Sequence, residues 1–524
     1  MKKIFYLIGL ILCSTIAHSQ KNITQLANIN YGYQLAGCWH YVDSTGHEFA
    51  IVGTYHGVSI IDMANPANPI IVDSTPGTPS IWREVKVWGK YAYVSTEGYD
   101  TTGVLNGIQI IDLSNLPGPV TYKFYKGDGA IANQLTRAHT VTVDNGYLYI
   151  SGSQLFGGGI LICGLNDPWN PEYVSSYSNF YVHDCILKND TIWSSEIWAG
   201  QFSAIDITNK ANPVLLQSQL TPSLFNHNGW FNNAGNVFFT TDEKPSAPLA
   251  AYDVSDLQNI KLLDTYLSET APVGEVHNVR VLNDFLVNAN YASHISIVDA
   301  QYPDNLVETA HFPMGGGALS WDADPYLPSG VVIATNMSTG FFVFDVNYVR
   351  ACYLEGNVKD SLTGISLLNA KVFIKSLAKL DSTNLTGDYK TGVADAGLYD
   401  VEFSYPGYQT YTATNISLTT GVKTILNVAL LPNNFSIPDN SGCNNLRVVY
   451  QNALGLLTID KENCNKTQIG NLQIVDASGR LVYSNIESLD DNKIVLPLSK
   501  GVYFYSILNE NNELLSNGNF SVLK

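Results

Sequence analysis

The 524-residue chain is too long for one ordinary hydrophobic core and divides into about three or four units. Its apolar content is that of a globular protein, but Tyr, Val, Ile, Thr, Asn and Gly are favoured while Met (4) and Lys+Arg (28) are scarce, a β-rich and turn-rich composition. A formal net charge of -18 argues against nucleic acid or an anionic membrane as partner, because phosphates and headgroups gain nothing from it; it suits solubility outside the cell and cation binding.

The opening MKKIFYLIGLILCSTIAHSQ joins a basic start to an apolar stretch too short to span a bilayer and a small-residue Ala17-His18-Ser19 ending. This is the pattern of a cleaved signal peptide over residues 1–19. Cys13 follows the bulky Leu12 where a lipobox needs a small residue, so it reads as a cysteine of the apolar segment. No later apolar run is long enough to cross a membrane, and the mature chain is expected to have no transmembrane segment. Export makes disulfides permissible. Cys443 and Cys464, close together in one C-terminal module, are the best candidate pair, whereas Cys38, Cys163, Cys185 and Cys352 are expected as buried free thiols.

Between residues 22 and 349 the text repeats with a period in the forties. One unit, EVHNVRVLNDFLVNANYASHISIVDAQYPDNLVETAHF from Glu275 to Phe312, holds four short strands separated by turn residues. Related third strands are VSIIDMANPANP, IQIIDLSNLPGP, ILICGLNDPWNP, SAIDITNKANP, AAYDVSDLQN and FFVFDVN, whose Asp/Asn-Pro tails are turn chemistry. Third strands number seven, and so do opening strands. Fourth strands reach seven only if ITQLANINY, Ile23 to Tyr31, supplies the outer strand of the last unit. That is how a propeller closes and removes an exposed edge, whereas a solenoid needs capping units at both ends. The expectation is an all-β chain: a seven-bladed propeller over 22–349 closed by an N-terminal strand, with two small β-sandwich domains behind it.

The repeats resemble the LVIVD repeat, and the segment resembles the choice-of-anchor B propeller family, through RAHTVTVDNGYLYISG from Arg137, HNGWFNNAGNVFFTTDE from His227, VHNVRVLNDFLVNANY from Val276 and the IIDxxNPxxP tails. The resemblance implies a fold and a surface location, and no particular reaction. From 352 to 432, LEGNVKDSLTGISLLNAKVFIKS, GLYDVEFSYPGYQTY and GVKTILNVALLP resemble the carboxypeptidase regulatory-like domain, a transthyretin-like sandwich without peptidase machinery, which implies a spacer. A polar linker, 433–445, follows. Residues 446–524, with NLQIVDASGRLVY, LSKGVYFYSI and NGNFSVLK, resemble the type IX secretion C-terminal sorting domain, although VVYQNALGLLTI stands where its Asn-Pro opening would be. That resemblance implies a Bacteroidetes-type bacterium, recognition by the type IX secretion machinery, passage through the outer membrane, removal of this domain, and release or attachment to surface lipopolysaccharide. An ordinary sandwich that stays attached is the alternative.

Aligning the opening strands places His40, Arg83, His139, His183, His227, His277 and Ser320 at one level of the central channel. The ends of the second strands return beside them with Glu97, Glu196, Asp242, Glu243, Asn290 and Asn336. His40, His139, His183, His227 and His277 are candidate ligands for a transition metal such as Zn, Fe or Mn, with carboxylates to orient them. Arg83, Glu97, Asp242 and Asn290 are candidate ligand-binding groups, and Glu196 and Glu243 candidate catalytic bases or orienters. The arrangement is similar, in architecture alone, to iron-dependent carotenoid-cleaving propellers, which carry four axial histidines. The competing reading is that the imidazoles bond to neighbouring carbonyls and seal the channel. Arg83 disfavours a crowded cation site unless Glu84 or Glu97 offsets it, and would suit an anionic substrate. Gly157 to Gly159 and Gly315 to Gly317 read as turns, because no helix follows to cradle a phosphate. Three functions remain open: a surface propeller binding a protein, glycan or small ligand, a metal-dependent hydrolase or oxidoreductase, and a structural envelope component.

Overall fold

Short β-branched and aromatic runs punctuated by tight turns pair with their neighbours in sequence, and this chain does so blade after blade. The computed structural model describes residues 20–524 apart from 269–270, 272–273, 293, 316, 318, 434–445, 453, 462–470, 478, 486–492, 510–513 and 524. The leader 1–19, nearly all of the linker 433–445, and Cys443 and Cys464 therefore lie outside the described residues.

Six four-stranded antiparallel sheets follow one another, with innermost strands Leu35–Val42, Val85–Trp88, Thr140–Asp144, Asp184–Lys188, Asn226–Phe231 and Val276–Leu282. The seventh sheet orders Ser320–Asp324, Val332–Asn336 and Gly340–Val346, then takes its outer strand, Ile23–Ile29, from the other end of the domain. Each innermost strand abuts the next, and the seventh abuts the first, so the ring is closed. The molecule is all-β, with a seven-bladed propeller.

The cores lie between blades. Tyr93, Ile108 and Ile110 of the second blade, for example, pack on Val141, Leu148 and Ile150 of the third. The Asp residues that end the third strands form Asx turns, as their sequence tails predict: Asp62, Asp112, Asp206, Asp253 and Asp299 each accept the N–H two residues on. Gly157 and Gly158 occupy a tight turn with φ of 68° and 80°. A Cβ on Gly158 would stand 2.3 Å from the Tyr181 ring, so no larger residue fits there. Cys38, Cys163, Cys185 and Cys352 are buried free thiols.

The chain folds as two compact units that part between Leu431 and Pro432. Behind the propeller, in the first unit, two further sheets enclose a core of Leu354, Val372, Tyr389, Val401 and Phe403. This sandwich is tied to the sixth blade. Asp299 accepts from Arg350 Nη1 (2.5 Å) and the Ala351 amide (2.7 Å), Asn305 Nδ2 donates to the Thr391 carbonyl (3.0 Å), and Val307 packs on Ala351 and Tyr353. The second unit pairs Leu446–Gln451, Leu456–Lys461 and Lys493–Val495 in one sheet. Leu481–Asn485, Asn471–Asp476, Gly501–Leu508 and Leu514–Val522 form the other. Among the described residues no helix is long and apolar enough to cross a membrane.

Ring closure rests on the pairing of Ile23 with Val346 through Ile29 with Phe341. Ile23 is 2 % exposed, packed with Phe342, Phe344 and Val346. Ile23→Ala is expected to cost about 2–4 kcal/mol in urea unfolding through lost burial and the cavity left behind. Deleting residues 20–31 strips the seventh blade of its outer strand and is expected to lower the melting temperature further still.

Candidate metal centre at the channel mouth

One position at the start of each innermost strand, within it or just before it, forms a continuous hub. Counted from the hairpins, its residues are Ala36, Arg83, His139, His183, His227, His277 and Trp321. In the last three blades that residue is a β-bulge, flanked by the pairs Asn226–Asp242 and Asn228–Thr241, Val276–Asn290 and Asn278–Ala289, and Ser320–Asn336 and Asp322–Thr335. A bulge re-aims its side chain, which is how His227 and His277 come to face the channel. Every hub carbonyl accepts a hydrogen bond from the preceding blade. The donors are Thr335 Oγ1 to Ala36 (2.5 Å), the Gly37 amide to Arg83 (2.9 Å), Ser95 Oγ to His139 (2.7 Å) and Thr140 Oγ1 to His183 (2.8 Å). His183 Nδ1 bonds the His227 carbonyl (3.1 Å), Thr241 Oγ1 the His277 carbonyl (2.9 Å) and His277 Nδ1 the Trp321 carbonyl (2.6 Å).

Four imidazoles in successive blades therefore stand side by side, their planes tilted by 42–50°, with ring centroids 3.9 Å apart for His139 and His183, 4.2 Å for His183 and His227, and 4.1 Å for His227 and His277. Where Nδ1–H is given to a backbone carbonyl, as in His183 and His277, the lone pair is left on Nε2. His227 Nδ1 is turned towards the His277 carbonyl but makes no well-formed hydrogen bond, and stands buried without a partner. Glu243 enters over the arc, its carboxylate oxygens 4.0 Å from Nε2 of both His227 and His277. One ligand atom each of His183, His227 and Glu243 lies within 4.8 Å of the others. Two atoms bound to one ion at about 2.0–2.1 Å are roughly 3–3.5 Å apart, so the trio needs only a modest inward rotation, chiefly of the partly exposed Glu243.

Burial dominates the electrostatics. It lowers His183 and His277 well below the ordinary imidazole value and takes His227 to about 3, and the neighbouring imidazoles push the same way. Glu243 is raised by burial, against a hydrogen bond from Tyr291, whose ring stacks on His277 at 4.4 Å. Burial would raise Glu97 too, but the hydrogen bond to His139 Nδ1 (2.5 Å) and the charge of that ring hold it below its ordinary value.

Several residues expected at this level stand elsewhere. His40 is four residues beyond the hub position of its strand, which Ala36 fills. There it bonds Asp324 through Nδ1 (2.7 Å) and stacks on Trp39, because the first hairpin has a long turn, Asp43 to His47. The seventh hub residue is Trp321, one place after Ser320, and its indole N–H reaches Glu84 (2.7 Å). Arg83 holds a hub position, but its side chain folds back to donate to the Thr54 (3.0 Å) and Thr78 (2.6 Å) carbonyls. Glu196 accepts from Ser194 Oγ (2.9 Å) and Gln201 Nε2 (2.6 Å) within the fourth blade. Asp242 caps the loop leading to His227 by accepting from Thr221 Oγ1 (2.6 Å) and the Ser223 amide (2.6 Å), and Asn290 caps a turn at the Ala292 amide (3.0 Å). Tyr291 and Trp321 complete the aromatic wall of the arc; Tyr291 directly follows the NAN end of its strand, the one sequence signal for it.

Known protein families account for parts of this architecture. Residues 82–126 match the LVIVD repeat, residues 353–431 the carboxypeptidase regulatory-like domain and residues 453–517 the secretion system C-terminal sorting domain. The chain is an exported protein. Its sorting domain indicates secretion to the cell surface or beyond it and interaction with the secretion machinery. No curated protein matches the chain.

Three imidazoles that stay neutral in the fold but titrate near 6.5 when unfolded make the metal-free protein acid-sensitive. Protons then bind the unfolded chain preferentially, so unfolding free energy is level above about pH 6.5 and falls below it by up to about 1.4 kcal/mol per pH unit for each imidazole. Urea unfolding across pH 4–8 in chelator checks this. His277→Gln is expected to give a shallower acid slope, and an unchanged slope contradicts the assignment.

Proposed function

We propose that this protein is an exported surface propeller of the choice-of-anchor B type whose channel mouth holds one transition-metal ion, Zn, Fe or Mn, on His183, His227 and Glu243. His139 and His277 flank the ion, and Glu97 orients His139. The LVIVD match and the sorting domain support the family and location. The observation that carries the metal is the convergence of two buried imidazoles and a carboxylate on one point, with backbone carbonyls directing His183 to present Nε2. Imidazole with carboxylate suits these metals. In this reading the leader 1–19 is removed on export, and residues 352–432 are a spacer in the chain between the propeller and the sorting domain 446–524.

The protein's role is to bind a ligand or partner at that metal-bearing mouth. Metal-dependent hydrolysis or oxidation is a second reading, in which His139, His183, His227 and His277 are the ligands and Glu243, its carboxyl raised by burial, is free of the ion and transfers a proton. Glu196, Asp242 and Asn290 serve in both readings as supports, and Arg83 braces the first two blades.

Elemental analysis of the purified mature protein is expected to find about one transition metal per chain. His183→Ala with His227→Ala is expected to remove it, and Glu243→Gln to weaken binding by about 10–100-fold. Metal-free protein whose variants unfold like the wild type would sink the proposal.

A further inference from the structure

The channel has a second mouth, three to four residues further along the innermost strands. It opens into a cavity of about 230 Å3 whose walls include Trp39, Trp230 and Tyr326, with Lys86, Arg280 and Ile186 beside them. Trp230 and Tyr326 lie nearly parallel, at 25°, with centroids 6.2 Å apart, and Trp39 stands 6.1 Å from Tyr326. Both cations are buried, Arg280 at 2 % and Lys86 at 8 % exposure. Arg280 gives one terminal nitrogen to Asp322 (3.2 Å) and the other to the Val279 carbonyl (3.2 Å), but its Nε–H has no acceptor. Lys86 has a single acceptor, its neighbouring Val85 carbonyl at 3.1 Å, and rests its ammonium 4.3 Å above the Trp39 ring. Among the nearby carboxylates Glu84 accepts from Trp321, Asp322 pairs with Arg280, and Asp184 accepts from Asn228 Nδ2 (2.6 Å), while Asp144 stands exposed on the rim of the cavity.

Buried cationic donors short of acceptors are costly, and one cavity is lined by Arg280, whose Nε–H has none, and by Lys86, whose ammonium has a single one for its three N–H groups. We propose that this mouth is a second binding site, for a small carboxylate carried on a ring. The carboxylate accepts from Lys86 and Arg280 Nε, and the ring lies against Trp39, Trp230 and Tyr326. The cavity is smaller than the ~300–1,000 Å3 of ordinary ligand clefts, so it takes one ring and not an extended chain. An acidic sugar and an aromatic acid share this chemistry. The site depends on neither the hub histidines nor a metal.

Calorimetric titration of the full chain with D-glucuronate, benzoate and D-glucose tests the proposal. Saturable binding of a carboxylate, unchanged by EDTA, with no binding of glucose, is the expected result, and whichever carboxylate binds identifies the ring as sugar or aromatic. Lys86→Gln is expected to weaken it at least tenfold while Lys86→Arg stays within a few-fold. Ile186→Trp, which fills the cavity and keeps both cations, is expected to abolish it and covers the case in which Lys86→Gln fails to fold. Absence of binding by both acids up to about 10 mM, equal binding of glucose, or affinity unaffected by Lys86→Gln and Ile186→Trp would overturn it.

Discussion

Seven backbone carbonyls at the hub, each taking a hydrogen bond from the blade before it, are the interaction on which the rest of this molecule depends. The amides of His139 and His183 bond within their own sheets, but the hub carbonyls turn to the neighbouring blade, and a buried carbonyl left bare there costs about 1–3 kcal/mol. The chain meets that demand with whatever donor each blade offers: a backbone amide in the first blade, Ser or Thr hydroxyls in the second, third, fifth and seventh, and imidazole Nδ1 in the fourth and sixth. The same bonds set the angular spacing of the blades, and through it the separations of about 4 Å between successive imidazoles.

That spacing has a chemical price. Burial and neighbouring imidazoles disfavour the charged forms of His183, His227 and His277, so this part of the arc is a run of neutral rings with acceptor nitrogens towards the channel. Sealing the channel through carbonyl bonds and binding a cation are therefore compatible, because the first uses Nδ1 and the second uses Nε2. Glu243 supplies the negative charge that an ion there needs, while Glu97 steadies the end of the arc at His139. The other mouth has the opposite character, with buried Lys86 and Arg280 among aromatic rings, so on the two proposals above the single channel would take a cation at one end and an anion at the other.

Much of this was legible in the sequence. The seven third strands with their Asx tails, and the count that needed Ile23 to Tyr31 as a final outer strand, lead directly to the closed ring. His139, His183, His227 and His277 were legible because each lies at the same distance in sequence from the hairpin turn that follows it. His40 was not, because the first hairpin is longer and its strand is bulged, which moves Ala36 into the hub. Ser320 gave way to Trp321 for a similar reason, a bulge that shifts the inward-facing residue by one place. Arg83 shows a different limit: its backbone position follows from the repeat, but the direction of its side chain follows from the Thr54 and Thr78 carbonyls of another blade. The opposite mouth draws its lining from six innermost strands and a loop, and no local motif announces it.

The most direct measurement of the central claim is an anomalous-diffraction map of the propeller crystallised with zinc and recorded at the zinc edge. The account predicts one strong peak about 2.0–2.1 Å from Nε2 of both His183 and His227, with a Glu243 oxygen completing the contact. A fully ordered hub with no peak there, or with Nε2 of those two rings bonded to protein carbonyls instead, would contradict it.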